Sequence, residues 1–149
     1  MTATLRSSNR ALIEAFWREL YETRDYEKLA TYFTDDAWYR DIPAPDNGAI
    51  GPQQIIKRIK IGHEPVERFD HKVLSMVSEG DVVITEHHEI WHFRTGESVT
   101  LPFCSVQEIA NGKIKAWRDY WNLDTLLSNA PKWWLEHIMS FKPEDFGSS

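Results

Sequence analysis

This chain of 149 residues has one cysteine, Cys104, so no disulfide can form within it. A chain without disulfides suits a reducing compartment, and a cytoplasmic location is expected. No apolar run nears the roughly 20 residues that a membrane-spanning helix needs. The N-terminal MTATLRSSNR lacks the apolar core of a signal peptide. Basic residues are in deficit, 17 Lys and Arg against 23 Asp and Glu, for a net charge of −6. With no basic stripe to neutralise phosphates, neither a nucleic acid nor an anionic membrane is an expected partner. Gly-rich phosphate loops, a G-x-S-x-G elbow, an H-E-x-x-H motif, internal repeats and low-complexity segments are all missing.

Tryptophan is abundant, with seven residues. Indoles collect in cores, pockets and interfaces, because each is a large apolar body with one N–H that needs a partner. Two stretches concentrate them. In Val82 to Phe93, VVITEHHEIWHF, alternation puts Val83, Thr85, His87, Glu89, Trp91 and Phe93 on one strand face. In Lys113 to Leu123, KIKAWRDYWNL, it puts Asp119 between Trp117 and Trp121. Ionisable groups set among large apolar ones resemble the wall of a ligand pocket. Two carboxylates with an imidazole between them can divide acid and base roles, since burial and like charge push their pKa values apart. A buried polar cluster that only satisfies itself fits the same pattern equally well.

The remaining pattern is α+β in one domain spanning 1–149. Leu12, Ile13, Phe16, Trp17 and Leu20 form an apolar stripe, predicting a helix from Ser8 to Thr23 with Ser8 as N-cap. A second helix is expected at Tyr26 to Phe33, and a strand at Ala37 to Asp41 that shows Ala37, Tyr39 and Asp41 on one face. The loop IPAPDNG follows. A third helix runs from Gly51-Pro52 to Ile61, with Ile55, Ile56 and Ile59 buried and Lys57, Arg58 and Lys60 read as a solvated face. The period then becomes two, predicting strands at Arg68 to Val77, Val82 to Phe93, Ser98 to Ile109 and Lys113 to Leu123; Asn111-Gly112 is a strong hairpin signal. The tail 124–149 is read as a helical segment interrupted at Pro131 and ending in a frayed KPEDFGSS. Glu86, His88 and His92 share the opposite face of their strand. Only two of the three histidines in H-H-x-x-x-H point the same way, so no metal and no cofactor is expected. Cys104 is read as a small packing residue.

The element order, with FTDDAWYRDIPAP and NGKIKAWRDYWNL, resembles the NTF2-like superfamily. Within it the chain looks most like limonene-1,2-epoxide hydrolase and its SnoaL-like relatives, over Leu12 to Leu123; W-R-D-Y-W is the most specific part. The resemblance implies a cone of helices on a strongly curved mixed β-sheet that encloses a pocket. In the hydrolase an Asp on the last strand activates water, a Tyr and an Asn on the first strand hold it, and an Arg and a second Asp on a middle strand complete the site. By position these become Asp119, Tyr39, Asp41 in place of the Asn, His87 in place of the Arg, and Glu89 in place of the second Asp. Asp119 is thus expected as general base, Glu89 as general acid and His87 as the group orienting both, with Tyr39 and Asp41 positioning water or a substrate oxygen. Trp91, Phe93, Trp117, Trp121, Phe103 and Thr85 would line the substrate site. A small hydrophobic substrate and a homodimer are expected. A polyketide cyclase, isomerase or dehydratase, or a non-catalytic binding or dimerisation module, are the alternatives on the same fold. For an isomerase of the ketosteroid kind, the oxyanion-hole positions hold Trp17 and Cys104, which do not replace its Tyr and Asp.

Overall fold

The computed structural model describes residues 3–147. Helix α1 (Ala3–Arg18) starts earlier than the Ser8 cap predicted and continues as a π turn (Glu19–Thr23), closed by Arg24 in the left-handed region at φ 54°. Helix α2 (Tyr26–Ala30) is shorter than expected, because Phe33 already opens strand β1 (Phe33–Asp41). A two-residue strand β2 (Ala49–Ile50) precedes α3 (Pro52–His63), where Pro52 sits in the first turn and costs no hydrogen bond. Strands β3 (Arg68–Glu79) and β4 (Val82–His92) form a long hairpin. The strand predicted from Ser98 to Ile109 is two strands, β5 (Ser98–Thr100) and β6 (Phe103–Ala110), because Pro102 has no N–H to continue the ladder. Strand β7 (Lys113–Tyr120) ends the sheet. Pro131 splits the tail into α4 (Leu123–Asn129) and α5 (Lys132–Met139). The expected frayed end is a 3-10 turn over Pro143–Phe146, with Ser148 and Ser149 outside the described residues.

The sheet is mixed, in the order β2-β1-β7-β6-β4-β3 with β5 paired to β4. Strand β1 runs parallel to β7, and the other pairs are antiparallel. This is the α+β arrangement of helices on one face of a curved sheet. The register lays one row of side chains across the inner face, with Asp41 beside Asp119, Asp119 beside Ser105, and Ser105 beside Thr85. Two apolar clusters pack on that face. The first joins α1, α3 and the sheet through Ile13, Phe16, Trp17, Ile55, Phe103 and Trp117. The second lies under the C-terminal helices and includes Trp91, Phe93, Leu101, Leu126 and Trp134. Phe16 is fully buried and makes edge contacts with Trp17 and Trp117 at 5.0 Å each. Truncating it to alanine would cost about 3–5 kcal/mol. Phe69 and Trp121 touch both clusters, and the hollow that carries the site lies between the two.

Candidate active site

A cavity of about 280 Å³ opens among α3, the inner sheet face and the C-terminal helices. Its walls are mostly aromatic and aliphatic, and five charged or titratable side chains interrupt them: Asp41, Asp46, Arg58, Glu89 and Asp119, together with the ring of His63. That is the usual character of a small-molecule site, apolar with a few convergent polar groups.

The parallel register of β1 and β7 builds one pole of the cavity. Asp119 is buried, and its Oδ1 accepts hydrogen bonds from the Ser105 hydroxyl and, at 2.5 Å, from Trp117 Nε1. The Tyr39 hydroxyl lies 3.3 Å from Asp119 Oδ2 and 2.7 Å from Asp41 Oδ1. Tyr39 has one proton for two carboxyl neighbours, and the short contact gives it to Asp41. Asp41 also accepts from Trp121 Nε1 at 3.0 Å and from Arg58 Nε at 3.0 Å. Burial, followed by the nearby Asp41 and Glu89 charges, pushes Asp119 well above the usual carboxylate range, against the opposing pull of its Ser105 and Trp117 hydrogen bonds. A protonated Asp119 can donate from Oδ2 to the phenol oxygen, which then donates to Asp41. The three groups form a directed proton relay.

Glu89 forms the other pole. It sits on β4 beyond the reach of β6, in the stretch where the Leu101 N–H reaches its carbonyl at 2.9 Å. Its Oε1 accepts from Trp91 Nε1 at 2.8 Å, and its Oε2 is buried without a hydrogen bond of good geometry. Burial raises Glu89 to about 7, which the Tyr21 hydroxyl and Trp91 oppose and Asp41 assists. Glu89 and Asp119 therefore interact through the cavity but do not touch.

His87 departs from expectation. It is buried, with Nδ1 2.8 Å from His71 Nε2 and Nε2 2.6 Å from Thr85 Oγ1, and its ring stacks on Phe103 at 4.0 Å. Both nitrogens are engaged away from Glu89 and Asp119, and burial with His71 nearby lowers it to about 3. It is a neutral packing group behind Phe103 and bridges neither acid. Thr85 and Phe93, expected at the substrate site, also lie outside the lining, whereas Trp91, Phe103, Trp117 and Trp121 are part of it. Cys104 is exposed on the outer face and does not pack in the core. The other isomerase position, Trp17, is buried with its Nε1 unpartnered and edge-on to His87 at 4.3 Å.

Arg58 is the residue that the sequence reading misplaced. Its side chain is buried, not solvated: Nε meets Asp41, Nη1 and Nη2 grip both oxygens of Asp46 at 2.8 and 3.1 Å, and Nη1 also reaches the Phe146 carbonyl at 3.0 Å. Burial works against its charge, but Asp41 and Asp46 hold it above its already high pKa. The signal was in the spacing. Arg58 is three residues after Ile55, inside the apolar stripe, whereas Lys57 and Lys60 fall outside it and are exposed. Among the described residues no three His, Cys, Asp or Glu side chains converge as metal ligands, and no helix is long and apolar enough to cross a membrane.

A family model for the SnoaL-like domain matches residues 13–117. Solved structures share the fold. An epoxide hydrolase of the limonene-epoxide-hydrolase-like kind from M. tuberculosis is 21% identical, with a TM-score of 0.69, covering 83% of this chain and 89% of that one. A Shewanella putrefaciens protein classed as a SnoaL-like polyketide cyclase is 19% identical, with a TM-score of 0.71 and coverage of 81% and 84%. A Jannaschia protein classed the same way is 17% identical, with a TM-score of 0.76 and coverage of 88% and 98%. The chain belongs to the SnoaL-like family, of the NTF2-like superfamily.

Proposed function

We propose that this SnoaL-like protein is a cofactor-free acid–base enzyme acting on a small, largely apolar molecule, by addition of water to an epoxide. One observation carries the reading: two buried carboxyl groups in different surroundings face one apolar cavity, Glu89 bonded through one oxygen to Trp91 and Asp119 bonded to Ser105, Trp117 and Tyr39. Glu89 keeps its Oε2 without a well-formed hydrogen bond, beside the Tyr21 hydroxyl, and burial raises it to about 7, which suits a general base at neutral pH. Asp119, raised by burial and by Asp41 and with its Oδ2 3.3 Å from the Tyr39 hydroxyl, suits the general acid. The roles drawn from the resemblance are exchanged here, because burial and the neighbouring Asp41 favour the protonated form of Asp119.

In this scheme Glu89 Oε2 takes a proton from water as the water oxygen attacks a ring carbon. The carbon–oxygen bond breaks as Asp119 gives its proton to the leaving oxygen. The Ser105 hydroxyl and Trp117 Nε1 steady the carboxylate left on Asp119, and exchange with solvent moves the proton from Glu89 back to Asp119. The same pair could take a proton beside a carbonyl and protonate the resulting enolate, the chemistry of a cyclase or isomerase; the neighbours classed as polyketide cyclases support this as the second reading.

The test is hydrolysis of a panel of terpene and aryl epoxides in ¹⁸O water, with Asp119→Asn and Glu89→Gln beside the native chain. Label in the diol and losses of about 10²–10⁴ in both variants are expected. No turnover by the native chain removes the hydrolase, and turnover without label moves the reading to the isomerase class.

A further inference from the structure

The lining of the cavity carries four carboxyl groups and one guanidinium, and that guanidinium is already spent. Arg58 gives its Nε to Asp41 and both Nη atoms to Asp46. His63, on the same wall, is held neutral by burial and by Arg24, at about 3. Among the described residues Glu89 has no cationic partner; it is 3% exposed, and its Oε2 is buried in the wall without a well-formed hydrogen bond, the Tyr21 hydroxyl beside it. A buried carboxyl in that condition is costly when ionised, and a positive ligand would remove the cost.

The aromatic lining supplies the second half of the argument. Most rings at the cavity are packed on other rings: Tyr39 on Trp117 at 3.8 Å, Tyr21 on His71 at 3.8 Å, Phe103 on His87 at 4.0 Å. Trp121 is different. Among the described residues no aromatic ring packs against its indole, yet it lines the cavity and its Nε1 is fixed by Asp41 at 3.0 Å. An indole held in place by a carboxylate, packed on both apolar clusters yet still partly exposed at the cavity, is a platform for a cation.

We propose that the cavity binds a compact organic ammonium, an apolar body with a tertiary or quaternary nitrogen, in the space lined by both Glu89 and Trp121. This rests on the acid–base reading only in sharing its site, and it deepens that reading by naming the substrate class. A cation beside Glu89 favours the carboxylate, so the ligand itself ionises the base that is to act on it. A quaternary nitrogen donates no hydrogen bond, which leaves Oε2 free for water.

The test needs no turnover. Isothermal titration compares choline with its neutral isostere 3,3-dimethyl-1-butanol and its anionic counterpart 3,3-dimethylbutanoate, on the full-length protein at pH 7. Choline is expected to bind about tenfold more tightly than the alcohol, and the acid not to bind. Repeating the choline titration in two buffers of different ionisation heat is expected to show net proton release. Trp121→Leu is expected to weaken choline more than the alcohol, so that the preference for choline is lost. Equal or tighter binding of the alcohol, no binding of choline, or binding without proton release each overturns the proposal. Binding of choline by a chain that hydrolyses no epoxide would refute the proposed reaction and leave the ammonium site standing.

Discussion

The guanidinium of Arg58, midway along α3, closes on the carboxylate of Asp41 at the end of β1, with Nε 3.0 Å from Oδ2. The two side chains are 7% and 16% exposed, so this is a pair largely out of water. It joins three parts of the chain, because the same guanidinium holds the loop at Asp46 and the C-terminal turn at the Phe146 carbonyl. Through Asp41 it also anchors the far end of the proton relay that runs through Tyr39 to Asp119. The site is thus fastened from its helical roof as well as from its sheet.

Removing one partner of such a pair leaves a buried charge uncompensated. Arg58→Met is expected to destabilise the fold by about 3 kcal/mol, within the range seen when one member of a buried pair is deleted. Arg58→Lys keeps the charge but not the fork that spans Asp41 and Asp46, and is expected to recover only part of the loss. Urea unfolding of the three proteins checks both the size and the order. Arg58→Met within 1 kcal/mol of the native chain would show the pair to be superficial.

How much of this was legible follows from the kind of signal each residue leaves. Period-two alternation marked the inner faces of β4 and β7, so Glu89, Trp91, Trp117 and Asp119 could be assigned to one face from sequence. Nothing local marks which inner-face residues reach a cavity and which lie behind the wall. His87 and Glu89 have the same alternation, but His87 stands opposite Phe103 on β6, while Glu89 stands past the break at Pro102. The parallel pairing of β1 with β7, which brings Tyr39 and Asp41 to Asp119, is a contact across about eighty residues and leaves no local signal; the resemblance placed the three residues in one site without giving the pairing. Arg58 stands in a run of cations with Lys57 and Lys60, of which it alone lies on the buried stripe.

The pH profile of stability should be a dome. Glu89 and Asp119 have folded pKa values raised from 4.5 and 3.8, so the stability tied to their protons is complete below those values and is lost as pH rises through about 7 and above. His63, His71 and His87 have folded values lowered from 6.5 to about 3, 4 and 3. Their contribution is complete above 6.5 and is lost as pH falls toward those lower values, because the unfolded rings take up protons that the folded rings refuse. Between 4.5 and 6.5 three histidines outweigh two acids, so stability rises with pH; above 6.5 only the acids act, and it falls. A maximum near pH 6.5 is expected in chemical denaturation from pH 4 to 9. Glu89→Gln should flatten the alkaline limb and gain up to about 3 kcal/mol at pH 8. An unchanged limb in that variant would remove the assignment of a proton to Glu89.

The outer face of the sheet bears on assembly. Val77, Ile84 and Val106 are cross-strand neighbours on β3, β4 and β6. Val77 is 60% and Ile84 41% exposed, an apolar strip open on the outer face among the described residues. A second copy of the chain is the proposed cover, in keeping with the homodimer expected from sequence. Sedimentation is expected to give twice the chain mass, and Ile84→Glu a monomer with its fold intact. A native monomer at high concentration would end that proposal.

The loop between β1 and β2 offers the narrowest test of how the relay is held. Gly48 has φ +90°, and a methyl group there would sit 2.2 Å from the backbone oxygen of Tyr39. Only glycine allows so close an approach, and the approach has a purpose. It lets the loop turn back along β1, where the Gly48 N–H reaches Asp46 at 2.8 Å and the Asn47 carbonyl accepts from Trp38 at 2.9 Å. Asp46, so placed, meets Arg58. In Gly48→Ala the left-handed conformation is expected to cost 1 kcal/mol or more, and relief of the clash must move either the loop or the Tyr39 backbone. Total destabilisation of about 2–4 kcal/mol is expected, although the altered residue is not itself part of the cavity lining. Movement of the loop would loosen Asp46 from Arg58. Movement of β1 would instead lengthen the Tyr39 contact to Asp119, and a crystal structure of the variant distinguishes the two. A variant of native stability would mean that the turn relaxes freely and that the relay does not depend on this loop.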